Sequence, residues 1–598
     1  MKKTRYSVKT VCLLAMCGVA LFANAQDDKK KEQDLNRQMT LEREYDPSVQ
    51  DASKVNTLPQ VKEPEVRKIP IDYSDYTLAM DPAQQISVLP SGNIMTQMDY
   101  NKRRGYLRLG AGTYMNLNGD FGYHALSTAT DQLSIAFSHR SANGNVKYIQ
   151  LPDEKVKAKI NDNLGGLKYA HAFEKASLNV GLNYGYSAYN YYGLSMLSFS
   201  SLPMQDLLNK ADRETNQVNQ TIAATLGVES KEDADLAYLV DLGFVNFSRK
   251  YGISKDTDGP KETTIEAKVN VSKRFNGDMR FGLEALVEYF NYSLPAEKAL
   301  PNGGLYICEF ENHAEVALHP YYEVEGENWK VRLGANVMLK TGDESLFMAT
   351  PNVAANFEVA DKTELYIKAN GKLYSNSMYE MSKINRYLPA EELTPSRNWL
   401  DGVLGIKSGV APGFWFDIFA GYKMTSDDVL FVPSRTFEEG GFGNFSEAMS
   451  GINTKQLFVG ASLKYSYQQL FELTLKGQYN NWKAEYGDEW IGFSDSSLEH
   501  AWGKPEMELN AGVMVRPMDK LAVALDYSLA TGRYTLLAGV DLYKMNNINE
   551  LNLTATYTLN DTFGFYAKVN NLLSQKYELY YGYPMQRLSA QVGVNINF

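Results

Sequence analysis

Residues 588–598 read Leu-Ser-Ala-Gln-Val-Gly-Val-Asn-Ile-Asn-Phe. Every second side chain from Leu588 to Phe598 is apolar, and the side chains between them are polar or small. A period of two is the period of a β-strand, and no helix displays it. Similar alternation recurs from Arg104 onward, which predicts an all-β chain. The 22 predicted strands start near residues 105, 116, 131, 163, 176, 216, 236, 261, 279, 311, 329, 351, 363, 398, 414, 453, 470, 504, 521, 549, 563 and 586.

The length of each connection depends on whether the strand before it has an even or an odd number. Those after even-numbered strands are tight and polar, such as residues 174–175 and 276–278, whereas those after odd-numbered strands are mostly long, such as 141–162 and 428–452. This segregation is typical of outer-membrane barrels, whose short turns are periplasmic and whose long loops are extracellular. The sequence therefore predicts a transmembrane antiparallel β-barrel of about 22 strands (20–22) over residues 105–598. An even strand number places both chain ends in the periplasm.

The composition excludes several other classes of protein. A helical span needs ~20 mostly apolar residues, and the only comparable run, residues 11–23, is shorter. Forty tyrosines and 26 phenylalanines are too many for a disordered chain. The net charge of −11 argues against nucleic acid as a partner, because such proteins present a clustered basic face.

A barrel also explains two further features of the composition. The mean hydropathy is −0.36, which fits a wall whose outer face contacts outer-membrane lipid while its inner face contacts water. Tyrosine exceeds phenylalanine and tryptophan together. Tyrosines near strand ends are expected in the aromatic girdles at the two membrane interfaces; examples are Tyr289, Tyr292, Tyr577, Tyr580 and Tyr581.

Residues 1–25 have the features of a secretory signal peptide. Basic residues between Lys2 and Lys9 precede the apolar run, and small residues follow it, so cleavage is expected between Ala25 and Gln26. The alternative, an N-terminal membrane anchor, is disfavoured because the apolar run is short. Cleavage would leave Cys308 as the only cysteine, which excludes an intramolecular disulfide and a cysteine-based zinc site. The expected location is the outer membrane of a Gram-negative type of cell.

Residues 26–104 differ from the rest of the chain. They contain spaced prolines and little sustained periodicity, so we interpret them as an extended periplasmic or lumenal segment. Their most motif-like part could dock onto a partner or onto the barrel's own wall, or it could belong to a simple spacer; it contains Tyr45, Asp46, Pro47 and Val49. Other outer-membrane or periplasmic proteins are the partners that such docking would imply.

The last ~75 residues resemble the end of a TonB-dependent receptor barrel. The residues that carry the resemblance are Asn571, Leu572, Lys576, Tyr577, Gly582, Tyr583 and Pro584. The terminal strand, with Val594, Ile596 and a final Phe598, also resembles the signal that the barrel-insertion machinery reads. The resemblance implies an outer-membrane transporter or receptor that passes or binds a ligand at the cell surface.

The sequence departs from that family before the first strand. Its receptors carry a globular plug of well over a hundred residues, whereas residues 26–104 do not read as a folded domain. Barrels of ~22 strands normally have a plugged lumen. Three candidates could close this one: residues 26–104, inward-folded long loops, or a partner subunit. A non-transporting structural or assembly subunit of an outer-membrane complex is the alternative function.

The residues that could carry chemistry form no local catalytic signature. The chain has six histidines, and neither a Gly-x-Ser-x-Gly elbow nor a His-Glu-x-x-His motif occurs. Residues 256–259 suggest a calcium loop, but their glycine is misplaced and no glutamate follows at the required position. The sequence therefore predicts a protein that is not an enzyme and that needs no cofactor or metal.

Overall fold

The computed structural model describes most of the chain from Arg103 onward. The described residues are 103–194, 216–231, 236–275, 278–299, 305–343, 345–409, 411–434, 444–486, 500–537 and 541–598. They belong to the larger of two compact units, Lys68–Phe598. The expected cleavage site at Ala25 and Gln26, and the segment around Tyr45, lie outside the described residues.

Twenty-two strands form one sheet, and we number them β1–β22 in chain order. The first eleven are Gly105–Gly112, Leu117–Ser127, Asp131–Lys147, Lys155–Ala172, Ala176–Asn190, Asn216–Ser230, Leu236–Arg249, Lys261–Phe275, Met279–Ser293, His313–Glu325 and Trp329–Lys340. The others are Leu346–Ala360, Thr363–Tyr374, Ser396–Ser408, Phe414–Pro433, Ser446–Tyr467, Phe471–Glu485, Met507–Met518, Leu521–Thr531, Ile548–Thr558, Phe563–Asn570 and Ser589–Asn597.

The sheet is closed into a barrel. Each strand pairs antiparallel with the next one along the chain, and β22 pairs antiparallel with β1, where Arg108 lies opposite Asn595. A closed ring leaves no strand edge with unpaired backbone groups, which is the condition for strands to cross a bilayer. The predicted fold class and strand number are confirmed.

Three strands begin at least five residues earlier than the sequence predicts, and β12, which starts at Leu346 rather than near residue 351, is one of them. β4 starts at Lys155 rather than near residue 163, and β16 starts at Ser446 rather than near residue 453. In the added part of β4, Val156 and Ala158 are buried, while Lys155 and Lys157, which alternate with them, are exposed. The apolar side chains there face inward, opposite to the pattern of the spanning part. A search for outward-facing apolar residues therefore misses this extension.

The two ends of the barrel differ as predicted. The ten connections after even-numbered strands have at most five residues, for example 128–130 and 361–362. The connections after odd-numbered strands include the longest ones, such as 191–215 and 375–395. We call these ends the short-turn end and the long-loop end. No helix in the described ranges is both long and apolar enough to cross a membrane.

The outer wall of the barrel is apolar. In β9, Phe281, Leu283 and Val287 are exposed, whereas Glu284 and Glu288 point to the opposite, inner face. The same outward exposure of large apolar side chains recurs around the ring, for example at Leu182, Leu242, Leu404 and Leu457. A continuous apolar belt of this kind is unfavourable in water and matches the hydrocarbon layer of a bilayer.

The inner wall carries aromatic rings that lie against glycines of the neighbouring strand. Tyr321 is directly opposite Gly282, and Tyr366 is directly opposite Gly405. A Cβ atom at either glycine would overlap the ring. Glycine inside a strand often marks such a close approach. This pairing gives a structural reason for the combined abundance of glycine and tyrosine.

Candidate functional site

The connection between β13 and β14, residues 375–395, contains the helix α1, Met378–Ile384. Ser377 caps the helix, since its side chain accepts a hydrogen bond from the Glu380 backbone N–H. Glu262 on β8 holds the same end, because it accepts hydrogen bonds from the Ser377 hydroxyl and the Tyr379 N–H, both at 2.9 Å. The connection is thereby fastened to a strand five positions away around the ring.

Residues 375–395 cross the lumen. Arg386 forms a bidentate ion pair with Asp162 on β4, with N–O distances of 3.1 Å. β4 lies nine positions from β13 in a ring of 22 strands, so the two are nearly opposite. Arg249, at the end of β7, donates a hydrogen bond of 2.9 Å to the Leu388 carbonyl. We call residues 375–395 the crossing segment.

An aromatic core joins the crossing segment to other connections at the long-loop end. Tyr387 stacks on Tyr583, with ring centres 3.9 Å apart, and makes edge contacts with Tyr189 and Tyr192. The Tyr583 hydroxyl donates a hydrogen bond to the Asn444 carbonyl. We call the assembly of the crossing segment with residues 191–194, 444–445 and 571–588 the cap. Its core tyrosines are almost fully buried.

The residues of the receptor-like C-terminal motif lie in the connection 571–588. Tyr577, Gly582, Tyr583 and Pro584 are buried in the cap, together with Asn571, whereas Leu572 and Lys576 are exposed. Gly582 has φ +79°, and a Cβ atom there would overlap the backbone of Leu194. The motif therefore contributes a docked hairpin to the cap.

The expected assignment of tyrosines to membrane girdles is wrong for most of the named residues. Tyr577 and Tyr581 are buried in the cap, and Tyr580 donates a hydrogen bond of 2.7 Å to the Ile384 carbonyl. Tyr292 is also buried, and only Tyr289 is exposed on the outer wall. Strand-end tyrosines look alike in the sequence whether they face lipid or the folded loops.

Two buried ionisable residues, Glu578 in the cap and Arg533 beside it, hold the connection 571–588. Glu578 accepts hydrogen bonds from the Gly582 N–H at 2.8 Å and from Gln150 at 2.9 Å. Burial raises the pKa of Glu578 to about 7, with these hydrogen bonds and the charge of Arg533 opposing the shift. Burial lowers the pKa of Arg533 to about 10. Glu578 therefore titrates near neutral pH while it holds the hairpin.

The last residues of the chain lie at the seam of the barrel. Phe598 exchanges backbone hydrogen bonds with Gly105, and its ring stacks on Tyr123 and Phe121 at 6.1 and 6.4 Å. Val594 and Ile596 pair with Leu109 and Leu107 on β1 in the strand register. The residues of the predicted insertion signal thus lie where β22 pairs with β1 and closes the barrel.

A cavity of about 420 Å³ lies between α1 and the inner wall of β13–β18. Its lysines are Lys372, Lys383, Lys423 and Lys504, and its carboxyl groups are Glu380, Asp428 and Glu508. Sequence reasoning did not find this site, because its residues come from strands far apart in the chain. The one readable signal was Ser377-x-x-Glu380, a capping box that marks the start of α1.

The arrangement offers charged and aromatic groups that can bind a ligand. In the ranges that the structure describes, no three His, Cys, Asp or Glu side chains are grouped to hold a metal ion. His139 contacts Asn163, and His319 contacts Asn336, each on the neighbouring strand. What the cap can do is close the lumen and, if it moves, open it.

Solved structures with this fold are outer-membrane receptors and transporters. The FrpB iron transporter from Neisseria meningitidis is similar with a TM-score of 0.63 at 10% identity, over 83% of this chain and 82% of that one. The siderophore receptor PiuA from Acinetobacter baumannii has a TM-score of 0.61 at 9% identity, with the same coverages. For the ferric-catecholate import receptor Fiu from E. coli K12 these values are 0.59 and 10%, again over 83% and 82%.

These comparisons establish the fold. The chain has the same barrel fold as these receptors and transporters, which agrees with the resemblance seen in its C-terminal residues. No protein-family model matches the sequence, and no curated protein is similar to it.

Proposed function

We propose that the protein is an outer-membrane barrel of the transporter or receptor type, whose long-loop end faces outward and is closed by its own cap. The observation that carries the proposal is the crossing segment, which passes from β13 across the lumen to Asp162 on β4. Passage or binding of a ligand at the cell surface would then require the cap to bind that ligand or to move. The short turns, and both ends of the polypeptide chain, would face the periplasm.

Three features support this proposal. The apolar outer wall fits a membrane location, and the similar structures are named as receptors and transporters. A barrel of this size would leak if its lumen were open. Closure by loops would also replace a separate plug domain, and we propose residues 26–104 as a segment that contacts periplasmic or outer-membrane partners.

Conductance across planar bilayers tests the proposal. The variants are the mature chain, a deletion of residues 26–104, a chain in which a short Gly-Ser linker replaces residues 376–395, and the combination of both changes. We expect little conductance from the mature chain and clear steps once the crossing segment is replaced. Heat-dependent mobility on gels serves as the control for a folded barrel. A folded double variant without conductance would contradict the proposal.

The buried core of the cap favours a second function. Tyr189 and Tyr191 are completely buried and Tyr583 is 2% exposed, which is typical of a permanently folded core rather than of a lid. Such a barrel would serve as a non-transporting structural or assembly subunit. Affinity purification from native outer membrane, followed by mass spectrometry, would then recover partner proteins with the mature chain but not after deletion of residues 42–54.

A further inference from the structure

Three lysines line the cavity beneath α1 without a carboxylate partner. Lys372 and Lys383 lie over tyrosine rings, 5.1 Å from the centre of Tyr374 and 4.2 Å from that of Tyr379. Among the residues that the structure describes, no carboxylate oxygen lies within 4.0 Å of the ammonium nitrogens of these two lysines or of Lys423. They come from β13, α1 and β15, so three separate elements bring positive charge to one space.

The fourth lysine of the cavity, in contrast to the other three, has a carboxylate partner. Lys504 is buried and forms an ion pair with Asp428, which also accepts a hydrogen bond from Thr454. Burial, together with the nearby positive charge of Lys423, lowers the pKa of Lys504 against the effect of Asp428. The carboxyl groups that remain are Glu380 and Glu508. The cavity therefore keeps an excess of positive charge.

The wall of the cavity is fixed by its own hydrogen bonds. Trp482 donates to the Pro505 carbonyl at 3.0 Å, and its ring lies 4.7 Å from the Lys504 ammonium. Asn480 donates to the same carbonyl at 3.1 Å and accepts from Gln456 at 2.9 Å. Small-molecule sites use a few fixed polar groups beside aromatic and apolar side chains to orient a ligand, and they span ~300–1,000 Å³. The cavity of about 420 Å³ lies in this range.

We propose that this cavity binds a small organic anion, either a carboxylate or a phosphate ester, through Lys372, Lys383 and Lys423. Ammonium groups that converge without a paired carboxylate repel one another, and a bound anion offsets that repulsion. The inference deepens the proposed receptor-like function and rests on it, because a ligand of a closed barrel must be held near its cap. Its test does not depend on conductance.

Isothermal titration calorimetry on the full mature chain in a neutral detergent is the experiment. The probes are citrate, glucose 6-phosphate and uncharged glucose. We expect one of the two anions to bind at least ten times more tightly than glucose, and the better one identifies the anionic group. The double variant Lys383→Met/Lys423→Met should weaken its binding at least tenfold. Lys168→Met is the matched control, since Lys168 faces the lumen from β4 outside the cavity lining.

Three outcomes would overturn the inference: no binding of either anion, unchanged binding by the double variant, or equal weakening by Lys168→Met. The last result would indicate general attraction by lumenal charge. Anion binding combined with no conductance in any folded variant would reject transport and leave the site in place. Conductance without anion binding would reject the site alone.

Discussion

At the scale of the residue, the inner wall depends on glycines that make room for rings. Tyr321 is held between Gly282 on β9 and the guanidinium of Arg332, which lies 3.7 Å from the ring centre. Because the ring is confined on both faces, it has no free space to move into when a side chain is added beneath it. Close packing of this kind makes even one extra methyl group costly.

We predict that Gly282→Ala destabilises the barrel by about 1–3 kcal/mol through overlap with the Tyr321 ring. Unfolding in urea from lipid vesicles, followed by tryptophan fluorescence, measures the loss. Gly165→Ala is the matched control, because its nearest neighbour beyond the adjoining backbone would be a Phe137 ring atom at 3.9 Å. Equal stability of the two variants would show that Tyr321 can move aside.

The sequence could show the abundance of glycine and tyrosine but not the pairing. The pairing of Tyr366 with Gly405, for example, needs the register of β13 and β14. A connection of 21 residues separates these strands, and nothing in the linear order fixes the register across it. For the same reason, Tyr577 and Tyr581 were assigned to a girdle instead of the cap.

At the scale of the element, the hairpin in 571–588 is held by a carboxyl group that titrates near neutral pH. In the docked hairpin Glu578 has a pKa of about 7, against an ordinary value of 4.5. At a pH between these two pKa values, Glu578 is protonated in the docked hairpin and ionised in the undocked hairpin. Raising the pH through this window therefore removes stability from the docked state, and lowering the pH restores it.

We predict that protection of the Gly582 amide against hydrogen exchange falls as the pH rises from about 4.5 to about 7 and then levels off. The full change is at most ~3.5 kcal/mol, since one pKa unit corresponds to ~1.4 kcal/mol. Rates must be corrected for intrinsic exchange. Glu578→Gln should remove the dependence, because glutamine does not titrate in this range. A wild-type profile that is flat, or that rises with pH, would contradict the assignment.

The sequence predicts which loops are long, but it does not predict which residues those loops contact. Strand parity and polar turns predicted that the connection after β13 is long. Its path across the lumen depends on Arg386 meeting Asp162, 224 residues away in the chain. Inward-folded loops were one of three candidates for closure, and only the three-dimensional contacts show that they cross the lumen. The lysines of the cavity were missed for the same reason.

At the scale of the whole molecule, the fold was predictable because the signal is local and repeated. Each of the 22 strands has its own alternation of apolar and polar residues. An error in the prediction of one strand therefore does not change the predicted fold class. The early starts of β4, β12 and β16 are the exceptions, and in β4 the added residues bury their apolar side chains on the inner face. Closure itself places Phe598 beside Gly105.

We predict that Phe598→Ser lowers the amount of folded barrel in cells at least threefold, as expected of an insertion signal. Refolding of the purified chain into lipid vesicles should be nearly unchanged. Leu588→Ser is the control, because Leu588 and Phe598 are both 48% exposed at opposite ends of the last strand. Heat-dependent mobility on gels measures both yields. Equal losses in cells and in vesicles would instead assign Phe598 to packing at the seam.

The contacts of Tyr583 also order the steps of folding. Its hydroxyl reaches Asn444, and the neighbouring Pro584 carbonyl accepts a hydrogen bond from Tyr192, 392 residues earlier in the chain. Contacts of such high sequence separation form late, because loop closure must precede them. The hairpin that carries Tyr583 leads directly into β22, the strand that closes the ring against β1. Docking of this hairpin therefore couples the sealing of the long-loop end to the closure of the barrel.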